Sequence, residues 1–212
     1  MWDFGEFRIL CERRNRQVST MYPETLKYKE TKARHYSEMS INHWQTYIQQ
    51  YGLDPEDSGL DQLEFEAEAD MESALQAVHS MPDVIAQIVN LTIDLGMNVG
   101  HVSIKSVRRV LNNQFPQLHN MLTRIDALLS SNEFKYVEGF VNTTKHRRLI
   151  NITAQGYFGA GTQNRYGLKY ESFEYNGDVF PEMWFSEVSN DIIPNVIDMI
   201  CDIGNELNSI LR

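Results

Sequence analysis

The segment over residues 75–95 places the strongest constraint on this fold, because its polar side chains fall on one narrow stripe of a helix. Six residues form the stripe: Gln76, His79, Asp83, Gln87, Asn90 and Asp94. At about 100° per residue they lie within an arc of roughly 80°. The rest of the circumference is apolar or small, which is typical of a helix at the centre of a bundle. The stripe holds no Lys, Arg or Glu, so we expect it to be enclosed or semi-enclosed.

Enclosed polar groups need partners, because an unmatched buried one costs about 1–3 kcal/mol. Two interpretations of the stripe stay open. Its side chains either satisfy backbone groups nearby, some of them as helix caps, or they line a binding site. The residues that would line such a site are His79, Asp83, Gln87 and Asn90, and we call them the polar seam.

Six segments have the periodicity or the composition of helices. They cover 24–50, 60–95, 102–112, 116–130, 133–149 and 182–211. Pro82 lies inside the second segment, so it is either two helices that meet at Ser80 or one kinked helix. Before the first helix, residues 1–23 are predicted to be an irregular arm with a short strand at residues 7–10.

Two helix starts are predicted from capping boxes, in which a serine precedes an acid by three residues. Ser80 precedes Asp83 in this way, and Ser130 precedes Glu133. A further boundary is predicted in the last segment, where Pro194 requires a helix start near residue 190 or a kink.

The residue composition over residues 150–180 differs from that of the predicted helices. β-Branched and aromatic residues dominate there, and Asn176-Gly177 is typical of a type I′ hairpin turn. We therefore predict two or three short antiparallel strands. The fold class is mainly α, an antiparallel helical bundle with a short β-hairpin insertion before the last helix. No linker or repeat divides residues 24–212, which predicts a single domain.

Charge and cysteine content limit the classes of function. The chain has 212 residues and a net charge of −10, which repels nucleic acid and anionic membranes unless a local basic patch acts against it. Two distant cysteines form no disulfide framework, and no segment has the form of a signal peptide or a membrane span. A cytoplasmic protein without membrane contact is expected.

A basic cluster closes the helix predicted over residues 133–149. Asn142 and His146 are four residues apart and can converge on one point, while Lys145, Arg147 and Arg148 place three positive charges within four residues. Imidazole can transfer a proton near neutral pH, and the cations can hold a phosphate. The alternative is an ordinary basic helix end, which interacts favourably with the helix dipole.

The segment Asn142-Thr143-Thr144-Lys145-His146-Arg147 resembles the signature region of HEPN domains (higher eukaryotes and prokaryotes nucleotide-binding). The segment from His79 to Asn90, together with a hairpin after the signature helix, resembles a bacterial branch of that superfamily. The resemblance implies a HEPN-like helical domain and RNA or a nucleotide as the ligand. It also implies a homodimer, with an antitoxin or another protein as a further partner.

Two functions are implied by this resemblance. The first is a metal-independent endoribonuclease, a toxin or antiviral-defence protein. In it His146 and Asn142 would be catalytic, while Lys145, Arg147 and Arg148 would bind phosphate. The second is a non-catalytic interaction or ligand-binding module. The family's arginine precedes the matched Asn142, and this chain has Val141 there. No cofactor is implied, and the histidines lack the spacing of a metal site.

Overall fold

The computed structural model describes residues 2–16, 18, 20–51, 59–157 and 165–212. Within them, seven helices have the bounds α1 Phe4–Arg13, α2 Met21–Tyr51, α3 Gly59–Ile93, α4 Ile104–Gln114, α5 His119–Ser130, α6 Asn132–His146 and α7 Ile193–Leu211. The mainly α class is confirmed. The sequence predicts a loop at residues 52–59. Residues 52–58 lie outside the described residues, and Gly59 begins α3.

Helix α1 corrects the prediction for the N-terminal arm, which has no strand at residues 7–10. Asp3 caps the helix, and its side chain accepts a hydrogen bond from the Glu6 amide at 2.8 Å. Phe7, Leu10 and Cys11 are buried. Their spacing of three and four residues is that of one helix face. The prediction of a strand was wrong because two periodicities compete in so short an apolar segment.

Helix α3 runs through Pro82 without a break, so the predicted capping box at Ser80 is wrong. The Ser80 hydroxyl accepts a hydrogen bond from Lys29 Nζ at 2.7 Å, and Asp83 bonds to the amide of Ile104. Both side chains therefore bind partners outside their own helix. A proline removes one helical hydrogen bond, which a long helix with a buried face can tolerate.

The second capping box is displaced by one residue. Ser131, not Ser130, precedes α6 and accepts a hydrogen bond from the Phe134 amide at 3.1 Å. Ser130 Oγ donates to the carbonyl oxygen of Asp126, in the preceding helix. The predicted boundary between the two helices is thus confirmed, while the residue that makes the cap differs.

Five short strands replace the two or three that were predicted. They are β1 Ile152–Tyr157, β2 Arg165–Tyr170, β3 Phe173–Tyr175, β4 Asp178–Phe180 and β5 Met183–Trp184. One antiparallel sheet has the order β1-β2-β5, and β3 pairs with β4 in a separate hairpin. At its turn, Asn176 and Gly177 have φ values of 54° and 89°. These values confirm the type I′ turn, which needs positive φ at both positions.

The last helix begins later than residue 182. A short helical turn over Phe185–Glu187 and a π-helical turn over Val188–Ile192 precede α7. Pro194 therefore follows a π-helical turn that is continuous with α7, and Asn190 lies inside that turn. In the described segment 165–212, no helix starts near residue 190. The helix irregularity predicted from Pro194 takes the form of the π-helical turn, since a proline removes one helical hydrogen bond.

The chain divides into two compact units. Unit 1 comprises residues 1–31, 78–135 and 195–212, and unit 2 comprises residues 32–77 and 136–194. Their boundaries fall inside α2, α3, α6 and α7. Whether residues 24–212 behave as a single domain stays a prediction.

Each unit has its own core. That of unit 1 is largely aliphatic, and Val78, Ile85 and Ile88 of α3 have no exposed surface. That of unit 2 is aromatic: the rings of Phe140 and Tyr170 lie 4.7 Å apart, centroid to centroid. No helix among the described residues has the length and apolar character that crossing a bilayer requires.

Candidate functional site: the basic end of helix α6

The polar seam of α3 is engaged by the connection between α3 and α4. Asn90 makes two hydrogen bonds to the backbone of Met97, one from its Nδ2 to the carbonyl oxygen and one to its Oδ1 from the amide, both 3.1 Å. Gln87 Nε2 donates to the carbonyl oxygen of Val99 at 2.9 Å. All of these groups belong to unit 1. The interpretation that the seam satisfies nearby backbone groups therefore fits Gln87 and Asn90.

Asp83 plays the same part at the start of the next helix. Its Oδ1 accepts a hydrogen bond from the amide of Ile104, the first residue of α4, at 3.0 Å. A carboxylate there also faces the positive end of the helix dipole. His79, the remaining seam residue, is half-buried in unit 1.

The expectation that the stripe is enclosed or semi-enclosed holds for half of its residues. Asn90 is buried, with 4% of its surface exposed, and His79 and Gln87 are half-buried, whereas Gln76, Asp83 and Asp94 are exposed. Three of the six residues, Asp83, Gln87 and Asn90, have backbone partners nearby.

The basic cluster lies where α6 ends. The amides of Arg147 and Arg148 both donate to the carbonyl oxygen of Thr143, at 2.9 and 3.1 Å, and this closes the last turn. Lys145, His146, Arg147 and Arg148 are all exposed. Three cationic side chains and one imidazole, at four consecutive positions, thus lie on the surface of unit 2. We call residues 145–148 the basic end.

Asn142 lies one turn before the basic end and is half-buried. Its Nδ2 donates to the carbonyl oxygen of Glu138, one turn earlier in the same helix, at 2.8 Å. This hydrogen bond leaves the amide oxygen of Asn142 as the group that could orient a ligand. The side chain is therefore ordered by its own helix.

Arg147 is held by the hairpin of β3 and β4. Its guanidinium carbon lies 4.8 Å from the ring centroid of Tyr175, and Nη2 donates to Asn176 Oδ1 at 3.0 Å. A cation over an aromatic ring is stabilised by the ring quadrupole. Tyr175 and Asn176 were not predicted as parts of the site. The Asn-Gly sequence predicted the hairpin turn. Nothing in the local sequence indicated that this turn lies beside Arg147, 29 positions away from Asn176.

Val141 occupies the position at which the HEPN resemblance would place an arginine. This residue, at the position of the family's arginine, has no exposed surface and belongs to the core of unit 2. An arginine there would bury its guanidinium, which is costly without a paired charge. An apolar residue is therefore favoured at the buried position 141. The basic end has no cation at this position, where the resemblance would place one.

The sequence also suggests that His146 of α6 faces the same crevice as Asp83 and Gln87 of α3, and this stays a prediction. His146 belongs to unit 2 and is exposed, whereas the polar seam belongs to unit 1. Within unit 2, the structure brings Arg147 together with the hairpin, and it presents Lys145, His146 and Arg148 to solvent.

Comparison of the chain with protein-family models, with curated proteins and with solved structures finds no match. Within the described ranges, no group of three or more His, Cys, Asp or Glu side chains is arranged as metal ligands would be. The basic end is therefore interpreted from its own chemistry. The resemblance to the HEPN superfamily stays a prediction.

Proposed function

We propose that this protein binds single-stranded RNA through the basic end of α6 and does not cleave it. The observation that carries the proposal is that Lys145, His146, Arg147 and Arg148 are consecutive and all exposed, in a chain of net charge −10. Cations of this kind supply the salt-dependent part of RNA affinity by displacing counterions from phosphates. One of them, Arg147, is ordered by Tyr175 and Asn176.

Binding is favoured over cleavage by the surroundings of His146. Metal-free cleavage of RNA needs a proton-transfer group and a cation that stabilises the charge of the transition state, both held in fixed positions. His146 is exposed, and position 141, where the resemblance places the cation, is the buried Val141. An exposed imidazole among exposed cations supports contact with phosphate better than general acid–base catalysis.

The test is a titration of a fluorescein-labelled 20-nucleotide RNA in EDTA, followed by anisotropy at several KCl concentrations. The variant Lys145→Gln/Arg148→Gln removes two exposed charges and leaves Arg147 on the hairpin. We expect about tenfold weaker binding, and a salt slope reduced by about 1.4, since each phosphate contact on a single strand contributes roughly 0.7.

The matched control is Lys105→Gln/Arg109→Gln, which removes the same charge from exposed positions of α4. This variant should bind within about twofold of the wild type, because its basic end is intact. Its net charge equals that of the test variant, so the comparison removes the effect of overall charge. Equal weakening by both variants would show a nonspecific field effect, and no binding by the wild type would remove the proposal.

The same samples, run on a denaturing gel, test the ribonuclease alternative. We expect intact RNA with both the wild type and His146→Ala. Cleavage by the wild type that His146→Ala abolishes would replace binding with catalysis as the function.

The resemblance adds finer proposals. They are membership of the HEPN superfamily, a homodimer in which two basic ends share one RNA, a protein partner such as an antitoxin, and a role as a toxin or in antiviral defence in the cytoplasm. Light scattering with and without the RNA tests the dimer first. A monomer in both conditions would exclude the shared arrangement and leave the binding proposal intact.

A further inference from the structure

The guanidinium of Arg147 is held in one place by the hairpin of β3 and β4, and the way in which it is held favours one kind of ligand. Its Cζ lies 4.8 Å from the ring centroid of Tyr175, and its Nη2 donates to Asn176 Oδ1 at 3.0 Å. The ring therefore covers one side of the guanidinium. Since Arg147 is exposed, the opposite side is the one left to a ligand.

The hairpin is itself anchored on α6. Gly139 of α6 makes room for Phe180, because a Cβ atom at position 139 would lie 2.8 Å from the Cε2 of that ring, closer than real contacts allow. Phe180 stacks on the buried Phe173, with ring centroids 4.9 Å apart. Successive side chains of a strand point to opposite faces, so Tyr175 lies on the same face as Phe173. The ring beside Arg147 thus belongs to a hairpin packed against the helix that carries the basic end, and the cation is preorganised.

The hydrogen bond to Asn176 restricts how Arg147 can bind a phosphate. Arginine grips a phosphate with two parallel N–H groups, either those of Nη1 and Nη2 or those of Nε and Nη2. Each of these pairs uses one hydrogen of Nη2, and Asn176 Oδ1 occupies one of the two. One of the two edges with which Arg147 could grip a phosphate is therefore blocked.

A carboxylate next to the ring also disfavours a phosphate at this place. Asp178 of β4 pairs with Tyr175 of β3, so the two side chains lie on the same face of the hairpin. Asp178 is exposed, and its charge repels a phosphate that approaches the ring. A neutral planar group meets no such repulsion. Nucleobases are neutral and planar, and unpaired bases of RNA stack on guanidinium planes as well as on aromatic rings.

We propose that Arg147, backed by Tyr175, stacks on one unpaired base of the bound RNA. Its neighbours Lys145 and Arg148 contact the phosphates. The inference rests on the RNA binding proposed above and adds a base-dependent contact to it. Stacking of this kind tolerates any sequence, since every base has a π face. A base within a duplex has both faces covered by its neighbours, so this contact selects single-stranded RNA.

The test compares two fluorescein-labelled strands of 20 nucleotides. One is oligo(U), and the other has the same charge but carries stable abasic ribose analogues in place of its bases. Binding of the full-length protein to each strand is followed by anisotropy in EDTA at several KCl concentrations. The wild type should bind oligo(U) about tenfold more tightly than the abasic strand, which lies within the range for the loss of one base stack. The two salt slopes should agree, because both strands present the same phosphates.

Two pairs of variants assign the effect to the guanidinium and to the ring. Arg147→Lys keeps the charge and loses the plane of the guanidinium, so it should bind oligo(U) about tenfold more weakly with the salt slope unchanged, and the abasic strand within about twofold. Arg148→Lys makes the same exchange at the adjacent exposed position and should bind both strands within about twofold of the wild type. Tyr175→Phe keeps the ring and should bind as the wild type does, whereas Tyr175→Leu should match Arg147→Lys.

The outcomes distinguish this inference from the proposal on which it rests. No binding of either strand by the wild type would remove both. Three results would leave RNA binding in place and overturn the base contact: equal binding of the two strands by the wild type, equal weakening of both strands by Arg147→Lys, and undiminished binding of oligo(U) by a folded Arg147→Lys. The first of these results needs no variant, and circular dichroism checks the fold of the variants.

Discussion

The polar seam of α3 and the basic end of α6 both consist of polar side chains along helices, yet their atoms have different partners. In the seam, Asp83, Gln87 and Asn90 each bond to backbone of the connection between α3 and α4 or of the start of α4. At the basic end, Lys145, His146 and Arg148 are presented to solvent. Side chains occupied in holding a neighbouring loop have little capacity left for a ligand.

The cause of this difference lies in the chain immediately after each helix. After α3 the chain turns through Asp94 and Gly96, whose φ values are +62° and +69°, and runs into the connection whose backbone the seam holds. That connection has amides and carbonyls to satisfy. After α6 the chain continues towards β1, and Arg147 of the basic end contacts the hairpin of β3 and β4. Lysine and arginine side chains at the C-terminal end of a helix interact favourably with the helix dipole. They need no fixed partner for this interaction.

The largest expected effect is that of Asn90→Ala, which tests the structural role of the seam. The change removes two hydrogen bonds and leaves the amide and carbonyl of Met97 without these partners. We expect a loss of about 2–3 kcal/mol in the free energy of unfolding. Thermal denaturation should show a fall in Tm of about 5–10 °C for a chain of this length.

Asn142→Ala is the matched control for Asn90→Ala. Its side chain makes a hydrogen bond within its own helix, and alanine favours helix, so stability should change by less than about 1 kcal/mol. Equal effects of the two substitutions would contradict the contrast between the seam and the basic end.

A smaller effect is expected of Asp83→Ala, which removes the acceptor for the first amide of α4. Loss of a capping side chain costs about 1 kcal/mol. Asp83→Asn keeps an acceptor oxygen and loses only the attraction of the charge to the dipole, so it should recover about half of the stability. Urea denaturation of both variants measures this. If Asp83→Asn were no more stable than Asp83→Ala, the hydrogen bond would not be the cause.

The first half of α3 contains carboxyl groups whose charged form is destabilised by burial. Substitution of one of these groups is expected to have the smallest effect on stability. Desolvation raises the pKa of Glu72 above its usual 4.5. In the window between 4.5 and the raised value, the folded state binds more protons than the unfolded state. Stability from this group is therefore present below pH 4.5 and is lost as the pH rises through the raised pKa.

Glu72→Gln should accordingly raise Tm at pH 7 by about 1–2 °C, since a half-buried carboxyl is partly screened. The gain should vanish near pH 4. Glu174→Gln, at an exposed position of β3, serves as the control and should change Tm little at either pH. A gain that is the same at pH 4 and pH 7 would mean that the charge of Glu72 is not responsible.

The features that the sequence predicted correctly are those determined locally. Asn176-Gly177 defines its turn because both residues accept positive φ, and the long periodic segments became α2 and α3. The capping box at Ser80 failed because its side chain bonds to Lys29, a residue 51 positions away. The contact of Arg147 with Tyr175 was not predictable for the same reason. Pairings between distant residues leave no periodic signal in a single sequence.

The packing of Trp2 on α7 has a consequence for the order of folding during synthesis. A side-chain carbon on Gly204 would overlap the Trp2 ring, and Trp2 Nε1 donates a hydrogen bond to Asn208 Oδ1. The docking of Trp2 must therefore wait for a segment that leaves the ribosome 206 residues later. Until then Trp2 lacks the surface of α7 on which it packs, and apolar side chains that stay exposed in this way make incompletely folded chains prone to aggregation.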